Sequence, residues 1–132
     1  AAKLNLPIAF IEKRRTGTQT EALTVIGEVA GRKVILVDDE VDTAGSVSGA
    51  VRVLKEQGAA EIYLCFTHAV LSGPAVDRLR ALPIREIICT NTIPIPPHKR
   101  LPNMTVLSVG PMLAEVIRRI HEGRSVGQLF NE

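Results

Sequence analysis

Four carboxylates, Asp38, Asp39, Glu40 and Asp42, crowd the stretch "VDDEVDTAGS", whose second half has the make-up of an anion cradle. Gly45 allows a tight backbone turn, Thr43 and Ser46 offer hydroxyl donors, and a helix starting there would turn its free N–H groups outward. Such a combination receives a phosphate dianion. The carboxylates cannot serve that purpose. Their oxygens are acceptors, suited to the hydroxyls of a sugar or to a hydrated Mg²⁺. One ligand with an anionic end and a hydroxyl-bearing end satisfies both halves, which makes a sugar phosphate the natural occupant. The competing reading is a solvated acidic turn with Asp42 as a helix N-cap. It accounts for Asp42 and leaves the paired Asp38 and Asp39 unexplained.

A loop of this kind needs a strand before it and a helix behind it. The run Val34, Ile35, Leu36, Val37 is apolar at every position, which predicts a central strand covered on both faces, as in a parallel sheet. Behind the loop, Val47, Ala50, Val51 and Leu54 share one face at helical spacing, and Gly58 supplies a stop. "EIYLCFTH", "REIICTN" and "TVLSV" read as further strands. A helix with Val76, Leu79 and Leu82 follows Gly73 and Pro74, and Pro111 opens a last helix with an apolar face of Met112, Leu113, Val116, Ile117 and Ile120. Near the start, "LPIAFIE" reads as a buried strand and "KRRTGTQTEA" as a mobile loop. Strands alternating with helices over short connections predict an α/β domain with a mostly parallel sheet flanked by helices. Ligands of such sheets sit beyond the carboxyl ends of the strands, where residues 38–46 fall.

Composition narrows the functional classes. The chain has 132 residues, 45% of them hydrophobic and 23% charged, as expected of one globular domain. A net charge of +2 and only four aromatic residues argue against a nucleic-acid partner. No apolar run reaches the ~18 residues of a membrane span, so no membrane partner and a cytoplasmic location are expected. Cys65 and Cys89 lack the paired spacing of a metal or redox site and read as buried free thiols, and His68, His98 and His121 show no metal-ligand spacing. His68 alone falls at the carboxyl end of a strand. "AAKLNLP" reads as the tail of a helix with nothing before it, so a truncated chain lacking an N-terminal partner domain is expected.

The stretch "VILVDDEVDTAGS" resembles the ribose-phosphate-binding signature of the type I phosphoribosyltransferase fold, in the version found in the ribose-phosphate diphosphokinase family. "IEKRRTGTQTEALTVIGEVAGRKVILVDD", "THAVLSGPAVDRL", "TNTIPIPPHKR" and "LSVGPMLAEVIRRIHEGRSVGQLF" also resemble that family, so the likeness covers nearly the whole chain. It implies a C-terminal domain of type I phosphoribosyltransferase-like fold spanning residues 1–132. The implied reaction moves the diphosphoryl group of ATP to the 1-hydroxyl of ribose 5-phosphate and releases AMP, with Mg²⁺ required. By the same resemblance Asp42, Thr43, Ala44, Gly45 and Ser46 hold the 5-phosphate, while Asp38 and Asp39 hold the ribose hydroxyls directly or through the metal. Lys13 and Arg15 are the catalytic cations, at the start of a flexible loop at about residues 13–23. Arg124, Ser125 and Phe130 match a segment lining a regulatory nucleotide site.

Ser46 stands where the family usually has threonine and keeps the hydroxyl. Glu40 stands where an apolar residue is common. The family assembles as hexamers built from dimers, so a homo-oligomer is expected, and the fragment alone is expected to bind ribose 5-phosphate without turning over. Two further readings remain open: a base-salvage phosphoribosyltransferase, and a non-catalytic regulatory homologue of the synthetase. Intact Lys13, Arg15 and the loop argue against the second.

Overall fold

The computed structural model describes residues 5–16 and 20–130, without the side chains of residues 14–16 and 20–22. Six strands and three α-helices follow in the order β1 (Phe10–Thr16), β2 (Thr20–Ile26), β3 (Lys33–Val41), α1 (Gly45–Glu56), β4 (Glu61–Ala69), α2 (Ala75–Ala81), β5 (Glu86–Thr90), β6 (Met104–Leu107) and α3 (Gly110–His121). Strands β3, β4, β5 and β6 lie side by side in chain order as one parallel sheet, and β1 pairs with β2 as a separate antiparallel hairpin. The α/β class with a parallel sheet is as the sequence predicts.

One face of the sheet makes the core. Alternation along β4 buries Ile62, Leu64 and Phe66 under the helices, and Ile87 and Cys89 of β5 continue the layer. Helix α1 covers it with Val47, Ala50, Val51 and Leu54, the stripe that the sequence marks out, and α2 adds Ala75 and Leu79. Burying each large side chain in this layer contributes about 1.5–3 kcal/mol. The turn after α1 is closed by Gly58 at φ +82 and by Lys55, whose Nζ donates to the carbonyls of Ala59 and Ala60 at 3.0 and 2.8 Å. Cys65 and Cys89 are free thiols, the first half-buried and the second buried.

Three expectations change. Strand β3 is an edge strand, not a central one, and its second face is open: Ile35 and Val37 are 50% and 72% exposed. Its unbroken apolar run serves the core through Val34 and Leu36 and leaves the alternate residues facing outward. The segment from Leu6 to Ala9 precedes β1 instead of forming a buried strand, and Leu6, Ile8 and Phe10 are exposed. The stretch read as a mobile loop carries a ladder on both arms, pairing Lys13 with Leu23, Arg15 with Glu21 and Thr16 with Thr20. The threonine-rich arms that suggested a loop also suit strands. Helix α3 forms where expected, but none of its residues is buried, so its apolar stripe faces outward. Among the described residues, no helix is long and apolar enough to cross a membrane.

Candidate functional site

Strand β3 extends through the acidic run to Val41, so Asp38, Asp39 and Glu40 lie within the last part of a strand and not in a turn beyond it. Their carboxylates fold back on the backbone: the Asp39 amide donates to Asp38 Oδ1 at 3.0 Å, and the Glu40 amide to Asp39 Oδ1 at 2.9 Å. Asp38 is half-buried. Burial pushes its carboxyl above the ordinary range, and the adjoining Asp39 carboxylate adds to the rise against the opposing hydrogen bond from the Asp39 amide. A carboxylate held in this way gains from any cation or hydroxyl donor brought to it.

After β3 the chain turns into α1 through Asp42, Thr43 and Ala44. Ala44 is the N-cap, buried and left-handed at φ 60 and ψ 18, and no side chain caps the helix. The first turn of α1 contains no acidic residue. The structure therefore rejects the reading of Asp42 as a capping residue. Its Oδ1 instead accepts a hydrogen bond from the Ser72 hydroxyl, 30 positions along the chain. Ser48 donates its hydroxyl to the Ala44 carbonyl at 2.7 Å, and Arg78 Nη1 donates to the Thr43 carbonyl at 2.9 Å.

The result is a cup of about 330 Å³ lined by residues 38–47 alone, among them Asp38, Asp39, Asp42, Thr43, Ala44, Gly45 and Ser46. Its size falls at the small end of ligand pockets, roughly 300–1,000 Å³. The cup opens beside a larger cleft of about 1180 Å³, whose walls include Lys13, Leu23, Asp38, Gly45 and Ser46. Lys13, on β1, lines this cleft and not the cup itself. The hairpin approaches α1 at Gly49, where a Cβ would lie 2.8 Å from Leu23 Cδ1. The Arg15 side chain lies outside the described residues.

The remaining predicted positions lie elsewhere. Arg124 pairs with Glu122 at 3.1 Å, the Ser125 carbonyl accepts from Arg119 Nη1 at 3.0 Å, and Phe130 is half-exposed after the short 3₁₀ turn Gly127–Leu129. None of the three lines the cup or the cleft. His68 is opposite Glu40 in the β3 and β4 register, its Nδ1 3.0 Å from Thr92 Oγ1. Among the described residues, no group of three or more histidine, cysteine or carboxylate side chains could hold a metal by itself.

Sequence reasoning missed Ser72 and Arg78. Gly73 and Pro74 drew notice only as a helix start, and an arginine on the polar side of a short helix carries no signal of its own.

Comparison with known proteins gives this geometry a family. The model of the phosphoribosyl synthetase-associated domain matches residues 3–131. A ribose-phosphate pyrophosphokinase of Caldanaerobacter subterraneus subsp. tengcongensis is 52% identical over 98% of this chain and 42% of its own length. The Bacillus subtilis protein of the same name is 46% identical over 99% of this chain and 42% of its own. The crystal structure of phosphoribosylpyrophosphate synthetase from Mycobacterium smegmatis superposes with a TM-score of 0.85 at 45% identity, covering 92% of this chain and 39% of that one. The chain spans less than half the length of these relatives. Matched by the family model along nearly its whole length, the chain belongs to the phosphoribosyl synthetase-associated domain family.

Proposed function

We propose that the chain is the ribose-phosphate-binding domain of a ribose-phosphate pyrophosphokinase, an enzyme that passes the diphosphoryl group of ATP to the 1-hydroxyl of ribose 5-phosphate and releases AMP. The observation that carries the reading is the cup of residues 38–47, in which an acidic strand end adjoins a helix start that no side chain caps. In this reading the amides of the Thr43 to Ser46 turn and the first turn of α1 take the 5-phosphate. Asp38 and Asp39 take the ribose hydroxyls or a Mg²⁺ ion.

Two carboxylates suit Mg²⁺, which keeps several waters and shares itself between one or two protein carboxylates and substrate phosphates. The raised Asp38 carboxyl fits the same role, since a cation offsets the cost of burying its charge and the lesser repulsion from Asp39. When bound, the ion would neutralise charge on the phosphate oxygens. Lys13, on the wall of the adjoining cleft, and Arg15, on the same strand, supply cations for the oxygens of the group in transit. Stabilisation of this kind is most of what phosphoryl-type transfer asks of a protein.

Because the chain spans only part of its relatives' length, we expect it to bind ribose 5-phosphate and not to turn over by itself. Calorimetric titration with ribose 5-phosphate tests the binding, and absence of saturable heat refutes the site. AMP formation on adding ATP and Mg²⁺ would refute the expected inactivity. Release of pyrophosphate from phosphoribosyl pyrophosphate in the presence of a purine or pyrimidine would favour a salvage transferase instead.

A further inference from the structure

The cup is lined by ten consecutive residues, yet its shape is imposed from elsewhere in the chain. Segment 71–78 makes a series of contacts along the back of the turn. The Leu71 amide donates to the Val41 carbonyl at 2.9 Å and the Ser72 amide to the Asp42 carbonyl at 3.0 Å. Arg78 Nη1 donates to the Thr43 carbonyl at 2.9 Å, and the Ser72 hydroxyl donates to the Asp42 carboxylate. Three successive carbonyls, those of Val41, Asp42 and Thr43, therefore all have donors from one segment.

The stereochemical consequence is fixed by peptide planarity. In a trans peptide the C=O and the next residue's N–H point in opposite directions. Drawing the Asp42 and Thr43 carbonyls toward segment 71–78 thus turns the Thr43 and Ala44 amides away from it. Ordinary strand geometry alternates these groups, whereas two neighbouring amides aimed one way form an anion-binding concavity. Ala44 reaches the required backbone only by adopting a left-handed conformation that alanine disfavours, so something outside the turn must hold it there. Leu71 is itself left-handed at φ 50 and fully buried, which anchors the segment that does the holding.

We infer that Ser72 and Arg78 are positioning residues for phosphate binding: they hold the Asp42 to Ala44 turn with its amides aimed at the ligand. Arg78 also brings a guanidinium to the turn, 3.6 Å from where a Cβ on Gly45 would stand. This rests on the ribose-phosphate reading of the cup.

The test is NMR titration of this chain with ribose 5-phosphate and separately with inorganic phosphate, following the backbone amides of residues 42–47. In the unaltered protein the Thr43 and Ala44 amides are expected to shift together with those of the α1 first turn. Arg78→Met, which removes donor and charge while keeping the stem, is expected to weaken binding about tenfold, or ~1.4 kcal/mol. Arg78→Lys restores most of the loss, and Ser72→Ala weakens binding about threefold. Thermal unfolding of each variant separates loss of the turn from loss of the fold, and the lysine rescue is the result a merely structural role would not give. Binding by Arg78→Met within twofold of the unaltered protein overturns the inference. So do ligand shifts confined to Gly45, Ser46 and Val47, although the ribose-phosphate reading survives that outcome. Absence of shifts throughout residues 42–47 at saturating ligand overturns both.

Discussion

At the scale of the residue, Ala44 and Asp38 are the positions where the site works against local preference. A left-handed L-residue costs about 1–2 kcal/mol, and Ala44 is also buried. Replacing it by glycine relieves the backbone but forfeits a buried methyl group worth about 0.8 kcal/mol. The two effects nearly cancel, so Ala44→Gly is expected within about 1 kcal/mol of the unaltered protein in thermal or denaturant unfolding. Ala44→Val adds a β-branched side chain to the same disfavoured backbone and is expected to destabilise by about 2 kcal/mol or more. Asp38 shows the electrostatic counterpart. Its folded-state value is raised, so folding favours the protonated form. That contribution is complete below the ordinary carboxylate range and is lost as pH rises through the raised value. Asp38→Asn is therefore expected to gain stability relative to the unaltered protein as pH is taken from about 4 to 7. Urea unfolding at several pH values measures the gap, and a gap constant with pH would refute the assignment. Mg²⁺ or ribose 5-phosphate should narrow it.

At the scale of the element, what the sequence disclosed depended on whether the signal was local. Asp42, Thr43, Gly45 and Ser46 are neighbours in the chain, and turn chemistry acts over a few residues, so the cup could be read directly. The stripe of Val47, Ala50, Val51 and Leu54 was legible for the same reason. Strand β3 was legible as a strand but its open second face was not, because an apolar run looks the same whether a layer covers that face or leaves it open. The hairpin was missed because Thr16 and Thr20 suit loops and strands alike, and pairing between β1 and β2 is not written in either arm. The clamp by Ser72 and Arg78 joins positions 30 and 35 residues apart from their partners, beyond any local pattern. Gly49 illustrates an element-scale compromise. Mid-helix glycine costs up to about 1 kcal/mol relative to alanine, and among the described residues a Cβ would meet the tip of Leu23. Gly49→Ala is expected to raise stability by up to about 1 kcal/mol in thermal unfolding, with Leu23 moving aside. A lower stability would mean that the hairpin is held rigidly against α1.

At the scale of the whole molecule, apolar side chains among the described residues stand uncovered on the outer face of the sheet, with Ile35, Val37 and Leu107, on the stripe of α3, with Leu113, Ile117 and Ile120, and ahead of and on β1, with Leu6, Ile8 and Phe10. Contiguous exposed apolar surface drives association in solution. Sedimentation is expected to show average mass rising with concentration. Val37→Thr, at a position already 72% exposed, should reduce that rise while leaving the unfolding midpoint nearly unchanged, as surface substitutions usually stay within about 0.5 kcal/mol. A mass independent of concentration would count against association through these faces.

The separation between the turn and the segment that shapes it has a consequence for biosynthesis. A ribosome releases residues 38–47 well before residues 71–78, so on the proposed reading a nascent chain carries the full signature before the segment that shapes the turn is present. The full affinity proposed for the turn is expected only once Arg78 has cleared the exit tunnel and found the Thr43 carbonyl. Peptides cut from the middle of this sequence, however faithful to the motif, should therefore be inert toward phosphate.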